Sequence, residues 1–127
     1  MVKLRILFID DRIDEVMRQW ELSGCEKDHI RLPMETFNSL ERTLQIVKSF
    51  KPDVILVGYW FGKDNVTGGD VIQFLRQNNY NGYVIANSGG GIELFNHVQV
   101  KVDGSANRKP QTLKMIMDNL TKRRESR

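Results

Sequence analysis

Four places along the chain combine residue types that could work together on a charged ligand. Asp10 and Asp11 follow the apolar run LRILFI (4–9), Ser88 follows VIAN (84–87), and Lys109-Pro110 closes the stretch DGSANRK (103–109). Adjacent carboxylates repel, and a fold tolerates that more readily when a cation shares them; hard oxygen ligands with room for water suit Mg²⁺. The competing reading makes Asp11 a simple cap of the helix that follows. Ser88, ahead of three glycines, supplies a hydroxyl, and Lys109 an ammonium. Two carboxylates, a hydroxyl and a lysine around one crevice are what is needed to hold Mg²⁺ and an anionic phosphoryl group. The fourth place is different. DVILV (53–57) is another buried-strand pattern, and the residue that follows it is Gly58, which brings no side chain at all.

These residues can share a crevice only if the elements before them lie side by side. LRILFI reads as a continuous apolar strand, and the following segment carries Ile13, Val16, Met17 and Trp20 at helical spacing, closed near Gly24. HIRLPME (29–35) is a weaker strand whose Pro33 argues for a sheet edge. Asn38 or Ser39 can cap a second helix with Leu40, Leu44 and Val47 on one face, ending before Pro52. DVILV is the third strand, GGDVIQFLRQNN (68–79) a third helix, and GYVIAN (82–87) the fourth strand. GIELFNHV (91–98) is a short helix and DGSANRK a poor fifth strand; a last helix begins at Pro110 in its favoured first turn, with Leu113, Ile116, Met117 and Leu120 inward. Five such alternations imply an α/β fold, a five-stranded parallel sheet covered on both faces, with the two most hydrophobic strands, the first and third, as central neighbours. The ligand crevice of such a sheet lies outside the carboxyl ends of its strands, where the residues above sit.

The bulk numbers exclude several classes of function. The chain has 127 residues, 28% of them charged and 40% hydrophobic, as expected for one soluble domain. A single cysteine, Cys25, rules out an internal disulfide and a thiolate metal cluster. No apolar run approaches the roughly 20 residues that span a bilayer, and the N-terminus turns acidic too soon for a secretory signal, so a cytoplasmic location is expected. The net charge of +3 resides in the last six residues, KRRESR, which carry four positive charges and one negative. The body has no net excess to drive phosphate-backbone binding, and nucleic acid is not an expected partner.

The motif set resembles the receiver domain of two-component response regulators, over nearly the whole chain, and the resemblance implies a doubly wound, flavodoxin-like (βα)5 sheet with strand order 2-1-3-4-5. In that family an acidic pair after the first strand binds Mg²⁺, which Asp10 and Asp11 match; a Ser or Thr ends the fourth strand, as Ser88 does here; and Lys-Pro ends the fifth, as Lys109 and Pro110 do. KPDVILV is similar to the family's run into its phosphoacceptor aspartate, and the residue at that place is Gly58. Other departures accompany it. Gly62 stands where a proline is usual, the loop FGKDNVTGG (61–69) is longer than the family's, and Ala106 replaces the usual switch aromatic.

The resemblance therefore implies a degenerate receiver, residues 1–121, followed by a basic tail, 122–127. Such a chain would not be an enzyme and would act through phosphorylation-independent contact with a signalling protein: a histidine kinase, phosphotransfer or output protein, or a second copy of itself. Ser88 and Lys109 would be a residual phosphate pocket, and Asp10 and Asp11 a weak or vestigial Mg²⁺ site; no cofactor is required. Phe95, His97, Lys114 and Asp118 are the expected interaction face, Phe95 being equally placed to join the core. The first alternative is an active receiver using another carboxylate, with Asp64 the candidate. Asp53 sits at the wrong end of its strand, about 16 Å from position 58 at strand rise, and Asp70 is better explained as support for the third helix. The second alternative is a flavodoxin-like phosphate or nucleotide binder using the backbone of NSGGG, although neither glycine-rich nucleotide motif is present.

Overall fold

The computed structural model describes residues 3–34, 39–59, 61, 66–88, 95 and 101–126. Among the described residues the strands and α-helices follow one another as β1 (Arg5–Ile9), α1 (Ile13–Ser23), β2 (Ile30–Met34), α2 (Leu40–Phe50), β3 (Val54–Val57), α3 (Gly68–Gln77), β4 (Tyr83–Ala86), β5 (Gly104–Ser105) and α4 (Pro110–Glu125). All strand pairs are parallel, in the order β2-β1-β3-β4-β5. This is the flavodoxin-like order that the resemblance implies, with β1 and β3 central neighbours as their hydrophobicity demands. Of the short helix expected over 91–98, only Phe95 lies among the described residues.

The central strands are apolar on both faces because helices cover both. Leu7, Ile9, Ile55, Val57, Val84 and Ala86 pack on the side of α2 and α3, together with Tyr59, Phe61 and Phe95. Ile6, Phe8, Val54, Leu56 and Ile85 pack on the other side against α1 and α4. There Trp20 is fully buried edge-on to Phe8, ring centroids 5.5 Å apart. Its indole N–H donates to the Glu26 carboxylate, which pins the 3₁₀ turn Cys25–Lys27 against the helix. Gly24 ends α1 in the left-handed region at φ 79°, which glycine adopts without a Cβ penalty. Cys25 is a buried free thiol, as a small packed side chain would be. Pro33 sits in β2, at the sheet edge.

Local signals account for the helix starts. The Ser39 side chain accepts the Arg42 N–H, and Thr67 with Asp70 forms a reciprocal capping box at α3. Pro110 opens α4, which runs on through the basic residues to Glu125. At the amino end of the sheet Asp53 accepts the Arg5 N–H (2.8 Å) and pairs with Arg124 (2.9 Å). Nearby Arg76 donates to the carbonyls of Tyr80, Gly82 and Lys101 and pairs with Asp103 (3.1 Å), whose side chain is largely covered. Among the described residues no helix is long and apolar enough to cross a membrane.

One buried group ties this fold to pH. His29 Nδ1 accepts the Leu4 N–H at 3.1 Å, a bond only the neutral ring can make there. Burial holds the imidazole below its ordinary value of 6.5, helped by Lys114 and Lys3 and opposed by Asp28 and Asp118. Below pH 6.5 the unfolded chain takes up a proton that the folded ring resists, so stability falls as pH drops. Denaturant titrations at about pH 7.5 and 5.5 should show the wild type losing about 1 kcal/mol more than His29→Asn across that step. Equal losses would show that the folded ring takes up its proton as readily as the unfolded one.

Candidate functional site

The candidate site lies where the sheet ladder continues one residue past the strands. Gly58 N–H donates to Ile9 C=O (2.9 Å), Asn87 N–H to Val57 C=O (2.9 Å) and Ala106 N–H to Ala86 C=O (2.8 Å). These bonds set Asp10, Gly58, Asn87 and Ser88 at one crest. Asp10 and Gly58 are therefore neighbours, as the sequence reading requires. Their relation is closer than the sequence alone can show.

Asp10 is only 2% exposed, and its carboxylate lies against position 58. A Cβ built on Gly58 would stand 2.6 Å from Asp10 Oδ2 and 3.0 Å from its Cγ. The space into which a side chain at position 58 would start is thus taken by Asp10. On the far side the carbonyl of Gly58 is covered by the first residue of α3, where a Cβ at Gly68 would fall 1.9 Å from Gly58 O. Gly68 N–H donates to Tyr59 C=O at 2.7 Å, holding the two segments in this contact.

The cation that reaches Asp10 is Arg108. Its Nη2 lies 3.0 Å from Asp10 Oδ1, an oxygen that also accepts the Arg12 N–H at 2.9 Å. The other arm of Arg108, Nη1, is 3.6 Å from Glu15 in α1, and Arg12 approaches the same carboxylate at 3.7 Å. Two successive residues, Asn107 (φ 51°) and Arg108 (φ 57°), adopt the left-handed backbone that turns the side chain inward. Arg108 N–H donates to Asn87 Oδ1 (3.0 Å). The Asn87 amide is itself held by Gln19 through two reciprocal bonds of 3.2 and 2.9 Å, all of it buried. Burial raises the Asp10 pKa, and neighbouring Asp11 adds to the rise; the Arg12 N–H and the Arg108 guanidinium oppose it. Among the described residues Asp10 Oδ2 has no hydrogen-bond partner.

The other expected site residues fall as follows. Asp11 is exposed, and α1 has no side-chain cap, so Asp11 does not cap that helix. Ser88 is buried just past β4. Lys109 is exposed; its N–H closes onto Ala106 C=O at 2.9 Å, and among the described residues it forms no ion pair. Ala106 is fully buried with Leu4, Ile6 and Leu113. Phe95 requires a correction as a docking residue. It is 3% exposed and meets Tyr59 edge-on at 5.1 Å, since its ring fills the core between the sheet and the start of α3. Tyr59 and Phe61 are buried in the same cluster. Lys114 and Asp118 pair with one another on exposed α4 at 2.7 Å. His97, Asp64, Gly62 and the ring of Trp60 lie outside the described residues. Neither Asp53 nor Asp70 is a spare acceptor, for each is used where the chain needs it structurally, in the Arg5 and Arg124 contacts and in the α3 capping box.

Arg108, Asn87 and Gln19 were not singled out from the sequence. Gln19 had a readable signal, a polar residue between Val16 and Trp20 on the buried side of an amphipathic helix. Arg108 had none, because a cation beside Lys109 looks like one more solvated charge.

The resemblance implies Mg²⁺ here, and the residues do not fit it. One oxygen of Asp10 is already shared by a guanidinium and a backbone N–H, Gly58 offers no ligand, and the carboxylate is buried too deeply for the waters Mg²⁺ keeps. Among the described residues no group of three His, Cys, Asp or Glu could hold a metal ion.

No protein-family model matches the sequence, and no curated protein matches it. Solved structures do match in fold. A signal receiver domain from Vibrio parahaemolyticus is 20% identical, with a TM-score of 0.74 over 96% of this chain and 92% of that one. The receiver domain of the Francisella response regulator 1452 is 17% identical, with a TM-score of 0.71 over 95% and 98%. The N-terminal domain of a response regulator/sensory box/GGDEF protein from Carboxydothermus hydrogenoformans is 16% identical, with a TM-score of 0.72 over 96% and 97%. At these identities the likeness is one of fold.

Proposed function

We propose that this chain is a receiver-like signalling module that works by docking a partner protein and carries no phosphoryl group at position 58. The observation that carries this reading is the Asp10 carboxylate, which fills the space beside Gly58 where an acceptor side chain would begin. With no nucleophile at that position and no open acid pair beside it, the described residues of the crest supply no means of in-line phosphoryl transfer. The receiver folds it resembles supply the class of partner, a signalling protein. The exposed side of α4 offers the surface: Met115 is 71% exposed, close along the helix to the Lys114–Asp118 pair. A large apolar side chain rimmed by charges suits a protein contact better than a nucleic-acid one.

The test is an intact mass of the chain after incubation with Mg²⁺ and a small acyl-phosphate donor. The expected result is no phosphoryl adduct. A stoichiometric adduct on any aspartate would overturn the reading, and its position would identify the acceptor.

A further inference from the structure

The misfit between this site and Mg²⁺ has a specific structural cause. Asp10, Asp11 and Glu15 gather three negative charges at the end of β1 and the start of α1. Arg108 enters between two of them, 3.0 Å from Asp10 Oδ1 and 3.6 Å from Glu15 Oε2, with its side chain 22% exposed and that of Asp10 2% exposed. This reach depends on consecutive left-handed residues, a backbone that residues other than glycine adopt only when the surroundings impose it. The surroundings here are the Asn87–Gln19 amide pair, which fixes the Arg108 N–H, and the Ser105 hydroxyl, which donates to Asn107 Oδ1 at 2.5 Å. A guanidinium is always protonated and presents its donors in a rigid fork. Mg²⁺ demands six oxygens near octahedral geometry and keeps several waters, and a carboxylate this deeply buried has no room for them.

We propose that Arg108 is the built-in cation of this site: its guanidinium joins the end of β1 to α1 by holding Asp10 and Glu15 together, in the role a divalent ion would otherwise fill, so that the folded chain neither needs nor takes Mg²⁺. The proposal rests on the reading above for the identity of the site. It adds a regulatory consequence, that the crest is closed permanently by a side chain and does not wait for an ion. Arg12 and Asp11 are the other charged groups facing the site. They leave it one negative charge in excess, which the removal of Arg108 would raise to two.

The test uses the full chain, Mn²⁺ as a paramagnetic probe in amide NMR spectra, and melting curves with and without about 10 mM Mg²⁺. In the wild type, Mn²⁺ should broaden no signal selectively at residues 10–12 or 58, and Mg²⁺ should leave Tm unmoved. Arg108→Gln should melt roughly 10 °C lower, because Asp10 is left buried and unpaired. Mg²⁺ should then raise its Tm by about 4 °C as the site becomes accessible to the ion. Arg108→Lys, which keeps the charge, should stay folded and indifferent to Mg²⁺; it carries the test if the glutamine variant does not fold. Selective, saturable Mn²⁺ broadening in the wild type would overturn the proposal. So would an Arg108→Gln variant that melts with the wild type, or one that is destabilised without any response to Mg²⁺, or a lysine variant that gains such a response. Mn²⁺ binding without a phosphoryl adduct would refute the built-in cation alone. An adduct formed while Arg108 behaves as expected would refute only the phosphorylation-independent reading.

Discussion

Replacing Gly68 by alanine should destabilise the protein by on the order of 4 kcal/mol, lowering Tm by roughly 10–15 °C. Helix propensity alone gives the opposite sign, since alanine is favoured over glycine within a helix by about 1 kcal/mol. The close packing of α3 against the end of β3 decides it. A Cβ at residue 68 would fall 1.9 Å from the carbonyl oxygen of Gly58 and 3.1 Å from the Phe95 ring. The first of these atoms belongs to backbone fixed in the sheet ladder, with Gly58 N–H bonded to Ile9 C=O and Gly68 N–H bonded to Tyr59 C=O. Relief would therefore require α3 to move away from β3, opening the cluster that contains Tyr59, Val71, Ile72 and Phe95. Thermal and denaturant unfolding of the single variant would measure the effect. An unchanged or raised stability would mean that α3 does not sit on β3 as described.

The second large effect concerns the position that resembles a phosphoacceptor. Gly58→Asp should lower stability at neutral pH by about 3 kcal/mol and should not create a phosphoryl acceptor. The new Cβ would meet Asp10 Oδ2 at 2.6 Å, and the new carboxylate would join a site where Asp10 is already buried. Gly58→Ala, which adds the clash without the charge, should cost about 1–2 kcal/mol. The penalty of the aspartate should shrink on acidification. Burial already raises the pKa of the Asp10 carboxyl, a second carboxylate raises it further, and protonating either acid removes the repulsion. The decisive comparison is a double-mutant cycle with Asp10→Ala. If Asp10 occupies the space, removing it should recover at least about 1 kcal/mol of the Gly58→Asp penalty. Strict additivity of the two substitutions would show that Asp10 is not the obstacle.

Much of the architecture was legible in the residues. The apolar runs at 4–9 and 53–57 are long and unalternating enough to demand a sheet covered on both sides, and that demand already implies parallel strands with helical crossovers. Pro33 marked the edge strand, Gly24 the end of α1, and Pro110 the start of α4, because each acts through its own backbone. The crest was legible in outline for the same reason: residues that end parallel strands gather at one edge of the sheet. Thus Asp10, Gly58 and Ser88 follow their strands at that edge.

The contents of the crest depended on things a linear pattern does not carry. Helical spacing could not say whether Phe95 faces solvent or core, and the T-shaped contact with Tyr59 settled it inward. Adjacent to one another in sequence, Arg108 and Lys109 are set apart by their backbone angles, left-handed at Asn107 and Arg108 and extended at Lys109. Those angles send the guanidinium 98 positions back along the chain to Asp10 and leave the ammonium in solvent. The sequence by itself determined the sheet, its covered faces and the missing side chain at position 58, because apolar periodicity and glycine act locally. Only the tertiary structure decided that Asp10 fills the gap and Arg108 neutralises it, because both facts turn on distances of about 3 Å between residues far apart in the chain, where charge and sterics are resolved.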